Sequence, residues 1–76
     1  MPTVLRAEGF EVVIRTDDHE PPHVHVWKAG QQVKISLEAV RVLRRAGLED
    51  RLVAKALRLV LTHREQLLEA WRSLHG

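Results

Sequence analysis

Between His23 and Ser36 the sequence mirrors itself across a single turn, and this restricts the fold more than any other feature. With Ala29-Gly30 as a two-residue turn, Trp27 falls opposite Gln32, Val26 opposite Val33, His25 opposite Lys34, Val24 opposite Ile35 and His23 opposite Ser36. Every apolar residue meets an apolar one, and every polar residue a polar one. Side chains on a strand alternate between faces, so a slip of one residue would break all of these matches together. The hairpin therefore has a dry face of Val24, Val26, Val33 and Ile35. Its other face carries His23, His25, Trp27, Gln32, Lys34 and Ser36. Pro21 and Pro22 stand just before it. They have no N–H to donate and they hold the preceding backbone extended, so they separate the hairpin from what comes earlier.

A second hairpin is expected from Val4 to Arg15, turning at Glu8-Gly9. Its register sets Leu5 against Val12, Arg6 against Glu11 and Val4 against Val13. Phe10, Val12 and Ile14 share the core face with Leu5, while Arg6, Glu11, Val13 and Arg15 point the other way. Arg6 and Glu11 form a cross-strand ion pair worth a few tenths of a kcal/mol, about the usual value for exposed charges. Thr16 to Pro22 is a polar loop in which Asp17 and Asp18 act as turn formers. Glu38–Ala46 reads as a short helix closed by Gly47 and by the positive charges of Arg44 and Arg45. From Glu49 to about Leu74, the residues Leu52, Ala56, Val60, His63, Leu67, Trp71 and Leu74 recur at helical spacing. That stripe predicts one long helix with a bend at Thr62, where Thr62-x-x-Glu65 has the form of a capping box. His63 and Trp71 read as packing residues, and His75 as a frayed end. The fold class is thus α+β over one domain, residues 1–76. It comprises a four-stranded antiparallel sheet of two hairpins, then a short helix and a long C-terminal helix on one sheet face.

Composition excludes several classes. There is no cysteine, hence no disulfide and no thiolate metal site, which suits a reducing cytoplasm. No apolar run approaches the ~20 residues of a membrane span, and the first residues do not form a secretory signal. Twelve basic and ten acidic side chains leave a net charge of +2, with eight of the basic ones after residue 37. That balance permits contact with nucleic acid without requiring it. The first half of the long helix is apolar around most of its circumference. One sheet face cannot cover it, so the short helix, a second copy of the chain or another protein is expected there.

The opening Met1-Pro2-Thr3-Val4-Leu5-Arg6, the string Glu20-Pro21-Pro22-His23-Val24-His25-Val26 and the closing Leu67-Leu68-Glu69-Ala70-Trp71 resemble domain-of-unknown-function family 4160. Gly47-Leu48-Glu49 stands where members of that family often carry Gly, an aromatic residue and Ser. The resemblance implies a small prokaryotic, cytoplasmic protein. It also implies one half of a toxin–antitoxin-like pair, with a small antitoxin-like or toxin-like protein as partner. It brings no established activity and no catalytic residue.

Three functional readings stay open. In the first, the chain is a protein-binding module that uses its open sheet face and long helix, with Trp27 as an anchor. In the second, it is a metal-independent RNA-cleaving toxin. His23 and His25, ~6.6–7 Å apart on one strand face, would serve as acid and base. Lys34 would meet charge on the phosphate, and Arg15, Trp27 and Lys34 would hold the RNA. In the third, His23 and His25 bind a divalent metal such as zinc, with His19 or Glu20 as a third ligand. The first two readings need no cofactor.

Overall fold

The computed structural model describes residues 3–75. Met1 and Pro2, part of the opening string, lie outside them, as does Gly76. The chain forms strands β1 (Thr3–Ala7), β2 (Phe10–Val13), β3 (His23–Lys28), β4 (Gln31–Ser36) and β5 (Val42–Ala46), then helices α1 (Asp50–Thr62) and α2 (Arg64–His75). The α+β class holds. The sheet has five antiparallel strands in the order β1-β2-β3-β4-β5, each beside its sequence neighbour. This corrects the expectation of four.

Both hairpins turn where expected. Glu8-Gly9 and Ala29-Gly30 each place two consecutive residues at positive φ (54° and 80°, 52° and 78°), the geometry that matches the twist of adjoining strands. The β3–β4 register pairs His23 with Ser36, Val24 with Ile35, His25 with Lys34, Val26 with Val33 and Trp27 with Gln32, as read from the sequence. In the first hairpin Leu5 meets Val12 and Arg6 meets Glu11, with an Arg6–Glu11 contact of 3.4 Å. The register then shifts, so Thr3 rather than Val4 faces Val13. A bulge of this kind is invisible to strict alternation.

The short helix expected over Glu38–Ala46 is instead a turn and a strand. β4 would otherwise present an unpaired edge, and β5 supplies it with partners: Ile35 opposite Val42, Lys34 opposite Arg44, Val33 opposite Arg45. Ser36 turns the chain. Its N–H donates to Arg41 O at 2.9 Å, and its Oγ accepts from Ala39 N–H at 3.3 Å. Nine residues with helical composition could not outweigh a free sheet edge next door. The long helix is likewise two helices. Its unbroken version would run about 40 Å at 1.5 Å per residue, longer than the 33 Å maximum extent of the molecule. The break falls at His63 (φ −108°, ψ 19°). Its ring Nδ1–H donates to Leu59 O at 3.0 Å, the carbonyl that also accepts its backbone N–H at 3.1 Å. Side chain and backbone of His63 thus share one carbonyl of the preceding turn at the point where the helix ends.

The core lies between the dry sheet face and the helices. Val12, Val24, Val26, Val33, Ile35 and Leu37 are fully buried against Ala56, Leu59 and Val60 of α1 and Leu67 of α2. Each such side chain contributes about 1.5–3 kcal/mol through burial. Much of the apolar surface of α1 is thus covered from within the chain. Leu61 and Leu43 are the exposed large hydrophobic residues among those described. As the middle strand, β3 is buried on both faces over His23–Val26, and this position shapes the site described next.

Candidate metal centre

Arg15 follows β2, and the chain reverses immediately after it, Asp18 N–H donating to Arg15 O at 3.3 Å. The loop then passes over β3 and sets the Asp18 carboxylate against the two histidines. Asp18 Oδ2 lies 3.1 Å from His23 Nε2 and 3.1 Å from His25 Nε2. The imidazoles are on one side of β3, as alternation requires, with ring centroids 5.3 Å apart and planes nearly perpendicular. Their side chains are only 5% and 9% exposed. The open face expected around them is therefore closed. Val13, opposite His25, and Ser36, opposite His23, are buried with them. Trp71 of α2 packs on the His23 ring at 5.3 Å, and His75 stacks on Trp71 at 3.8 Å. His75, whose Nδ1–H donates to Trp71 O, is held rather than frayed. Arg64, at the start of α2, donates to Leu37 O at 2.7 Å, which anchors this helix to the end of β4.

The outer nitrogens of both rings are engaged. His23 Nδ1 is 2.9 Å from Pro21 O, and His25 Nδ1 is 3.2 Å from Gln32 Oε1. A carbonyl oxygen only accepts, so each Nδ1 carries a hydrogen, while His25 Nε2 is hydrogen-bonded to Asp18 Oδ2 at 3.1 Å. His23 Nε2, although close to Asp18, has no aligned hydrogen bond and is fully enclosed. Burial pushes the Asp18 carboxyl up. The hydrogen bond with His25 and the charges of His23, His25 and Arg15 together outweigh that and hold it below the ordinary carboxylate value. Asp18 is accordingly an anion at neutral pH.

Of the residues singled out from sequence, His23 and His25 come together. Lys34 lies opposite His25, and it and Arg15 border a cavity that Asp18 and His25 also line. Trp27 borders a different, shallower groove with Thr3, Glu11 and Lys28. His19 and Glu20 are exposed in the loop, and neither belongs to the cluster. Asp18 takes the place expected for them, with one ligand atom from each of Asp18, His23 and His25 within 4.8 Å of the others. Pro21 and Pro22 contribute carbonyls, Pro21 to His23 and Pro22 to Leu37 N–H at 3.0 Å. Sequence reasoning missed Asp18, treated as a turn former, and the cover supplied by Trp71. Loop reversal brings the first into place and tertiary packing the second, and neither leaves a local pattern.

No curated protein and no solved structure matches the chain. Residues 9–72, spanning β2 to β5, the Asp18 loop, α1 and most of α2, match the family described as a domain of unknown function (DUF4160). The cluster and nearly all of the fold that builds it lie within that match, and the chain belongs to this family.

Proposed function

We propose that the protein binds a divalent first-row transition metal through Asp18 Oδ2, His23 Nε2 and His25 Nε2. The observation that carries this reading is the convergence of three electron-pair donors in a buried place. Two ring nitrogens, their outer N–H groups spent on Pro21 and Gln32, face one carboxylate oxygen at 3.1 Å. A cation taken up among them would displace the hydrogen shared by His25 and Asp18 and accept an electron pair from each of the three. The spacing suits one. Bonds of about 2.0–2.1 Å put neighbouring donors roughly 2.9 Å apart in an octahedron and 3.3 Å apart in a tetrahedron. The contacts from Pro21 and Gln32 act as outer-shell supports, fixing each ring's tautomer and orientation.

Two imidazoles and a carboxylate suit zinc, iron(II), manganese or cobalt, and three protein ligands leave at least one position for water or substrate. A metal held there would supply Lewis-acid activation of that ligand. The acid–base reading needs the two rings to straddle a phosphodiester. Their convergence on one oxygen, with His23 beneath Trp71, favours coordination instead.

The test is calorimetric titration of EDTA-stripped protein with zinc chloride. One equivalent is expected to bind. His23→Ala and Asp18→Asn should each weaken binding by more than the ~10–100-fold typical of losing an outer-shell partner, and Gln32→Leu should fall within that range. Absence of saturable binding, or undiminished binding by His23→Ala, overturns the proposal.

A further inference from the structure

A cavity of about 330 Å³ opens beside the cluster, bordered by Asp18 and His25 on one side and by Arg15, Lys34, Arg44 and Arg45 on the other. The basic groups are not spread at random. Across the sheet, His25 on β3 is opposite Lys34 on β4, and Lys34 is opposite Arg44 on β5. Like charges directly opposite one another weaken a sheet. Neither Lys34 nor Arg44 has a carboxylate partner among the described residues, so nothing within them offsets that cost. Arg15 adds a second sign of the same kind, because its Nε is buried without an acceptor. Arg45 differs: it is committed to Asp50 at 2.7 Å and to Leu48 O at 2.7 Å.

We infer that this cavity binds a phosphoryl group, held by Arg15, Lys34 and Arg44, with one oxygen directed towards the Asp18–His23–His25 centre. The inference rests on the metal reading for that last contact and deepens it by naming the ligand class. A phosphoryl group offers several acceptor oxygens and negative charge. That combination satisfies an unpartnered guanidinium N–H and relieves the Lys34–Arg44 repulsion together. A carboxylate offers two acceptor oxygens in one plane, whereas a phosphoryl group offers three or more in a tetrahedral array that can face cations from three elements. The volume accommodates a phosphate with part of its ester substituent.

Two sources share this chemistry, a free nucleotide and a nucleic-acid strand. The probes are therefore 5′-AMP, adenosine as the control without phosphate, and a DNA pentanucleotide. Each is titrated into zinc-loaded and into EDTA-treated protein. AMP should bind and adenosine should not. Lys34→Gln and Arg44→Gln should each weaken AMP binding about tenfold while still binding one equivalent of zinc. Zinc should tighten AMP binding in the wild type. A pentanucleotide that binds at least tenfold tighter than AMP identifies a strand as the source, and equal affinity identifies a mononucleotide. Zinc binding without AMP binding, or AMP affinity unchanged in Lys34→Gln and Arg44→Gln, overturns the inference and leaves the metal reading standing. AMP binding that needs Lys34 in a protein that takes up no zinc overturns the metal reading and upholds the phosphoryl pocket.

Discussion

Replacing Asp18 by Asn separates a metal centre from a structural ion pair, because the two predict opposite signs for the metal-free protein. In the wild type one carboxylate oxygen faces two nitrogens at 3.1 Å, and the outer N–H groups of both rings are already used. An asparagine NH2 in that position can donate to His23 Nε2, which has no aligned hydrogen bond in the wild type, while the contact with His25 is kept. One new hydrogen bond raises stability by about 0.5–1.5 kcal/mol in EDTA. Loss of the carboxylate's attraction to His23, His25 and Arg15 offsets part of this. At 4–8 °C per kcal/mol for a domain of this size, the variant should melt up to about 12 °C above the wild type. Zinc then reverses the order. A hundredfold excess over Kd stabilises the wild type by about 2.7 kcal/mol, or roughly 10–20 °C, whereas a variant binding a hundredfold more weakly gains only ~0.4 kcal/mol. The assay is thermal unfolding by circular dichroism at pH 8, with EDTA and with zinc. A variant that melts below the wild type in EDTA and shifts equally with zinc refutes the reasoning, since Asp18 would then be stabilising the fold through charged histidines.

Three further outcomes test the architecture. Ile35→Ala, at a fully buried site between sheet and helices, should cost about 2–5 kcal/mol and leave much of the population unfolded at 37 °C by circular dichroism. Gly30→Ala should lower stability by about 1 kcal/mol in urea denaturation. No atom lies within 4 Å of the added methyl, so its cost reports the positive φ alone. The Glu11 carboxyl, held below its ordinary value first by the Thr3 hydroxyl at 2.6 Å and then by Arg6, should rise towards that value in Thr3→Val when titrated by NMR. A depressed folded value means that its contribution is present at neutral pH and is lost as pH falls through the folded value. The variant should therefore show the smaller loss of stability on acidification.

Alternation and turn chemistry made the β3–β4 hairpin legible to the residue. One register alone brings Val24, Val26, Val33 and Ile35 onto a common face, and Ala29-Gly30 can adopt the positive φ values that a tight turn demands. The shared side of His23 and His25 follows from the same parity. Their surroundings do not. β3 is the middle strand, so its second face is closed by a loop and by Trp71, and no periodicity within residues 23–27 records what will cover them. The segment Val42–Ala46 could form helix or strand locally, and the unpaired edge of β4 decided the matter. The apolar stripe from Leu52 to Leu74 has helical spacing on both sides of His63, yet the size of the sheet it must cover limits how far it can run straight. Asp18 is the sharpest case. As sequence it is one of two adjacent acidic residues in a polar loop, and only reversal of that loop turns it into the third donor of a buried cluster. Short-range steric rules act on neighbours along the chain and so can be read from it. The centre joins groups from a loop and a strand beneath a helix, and only the packed chain brings these together.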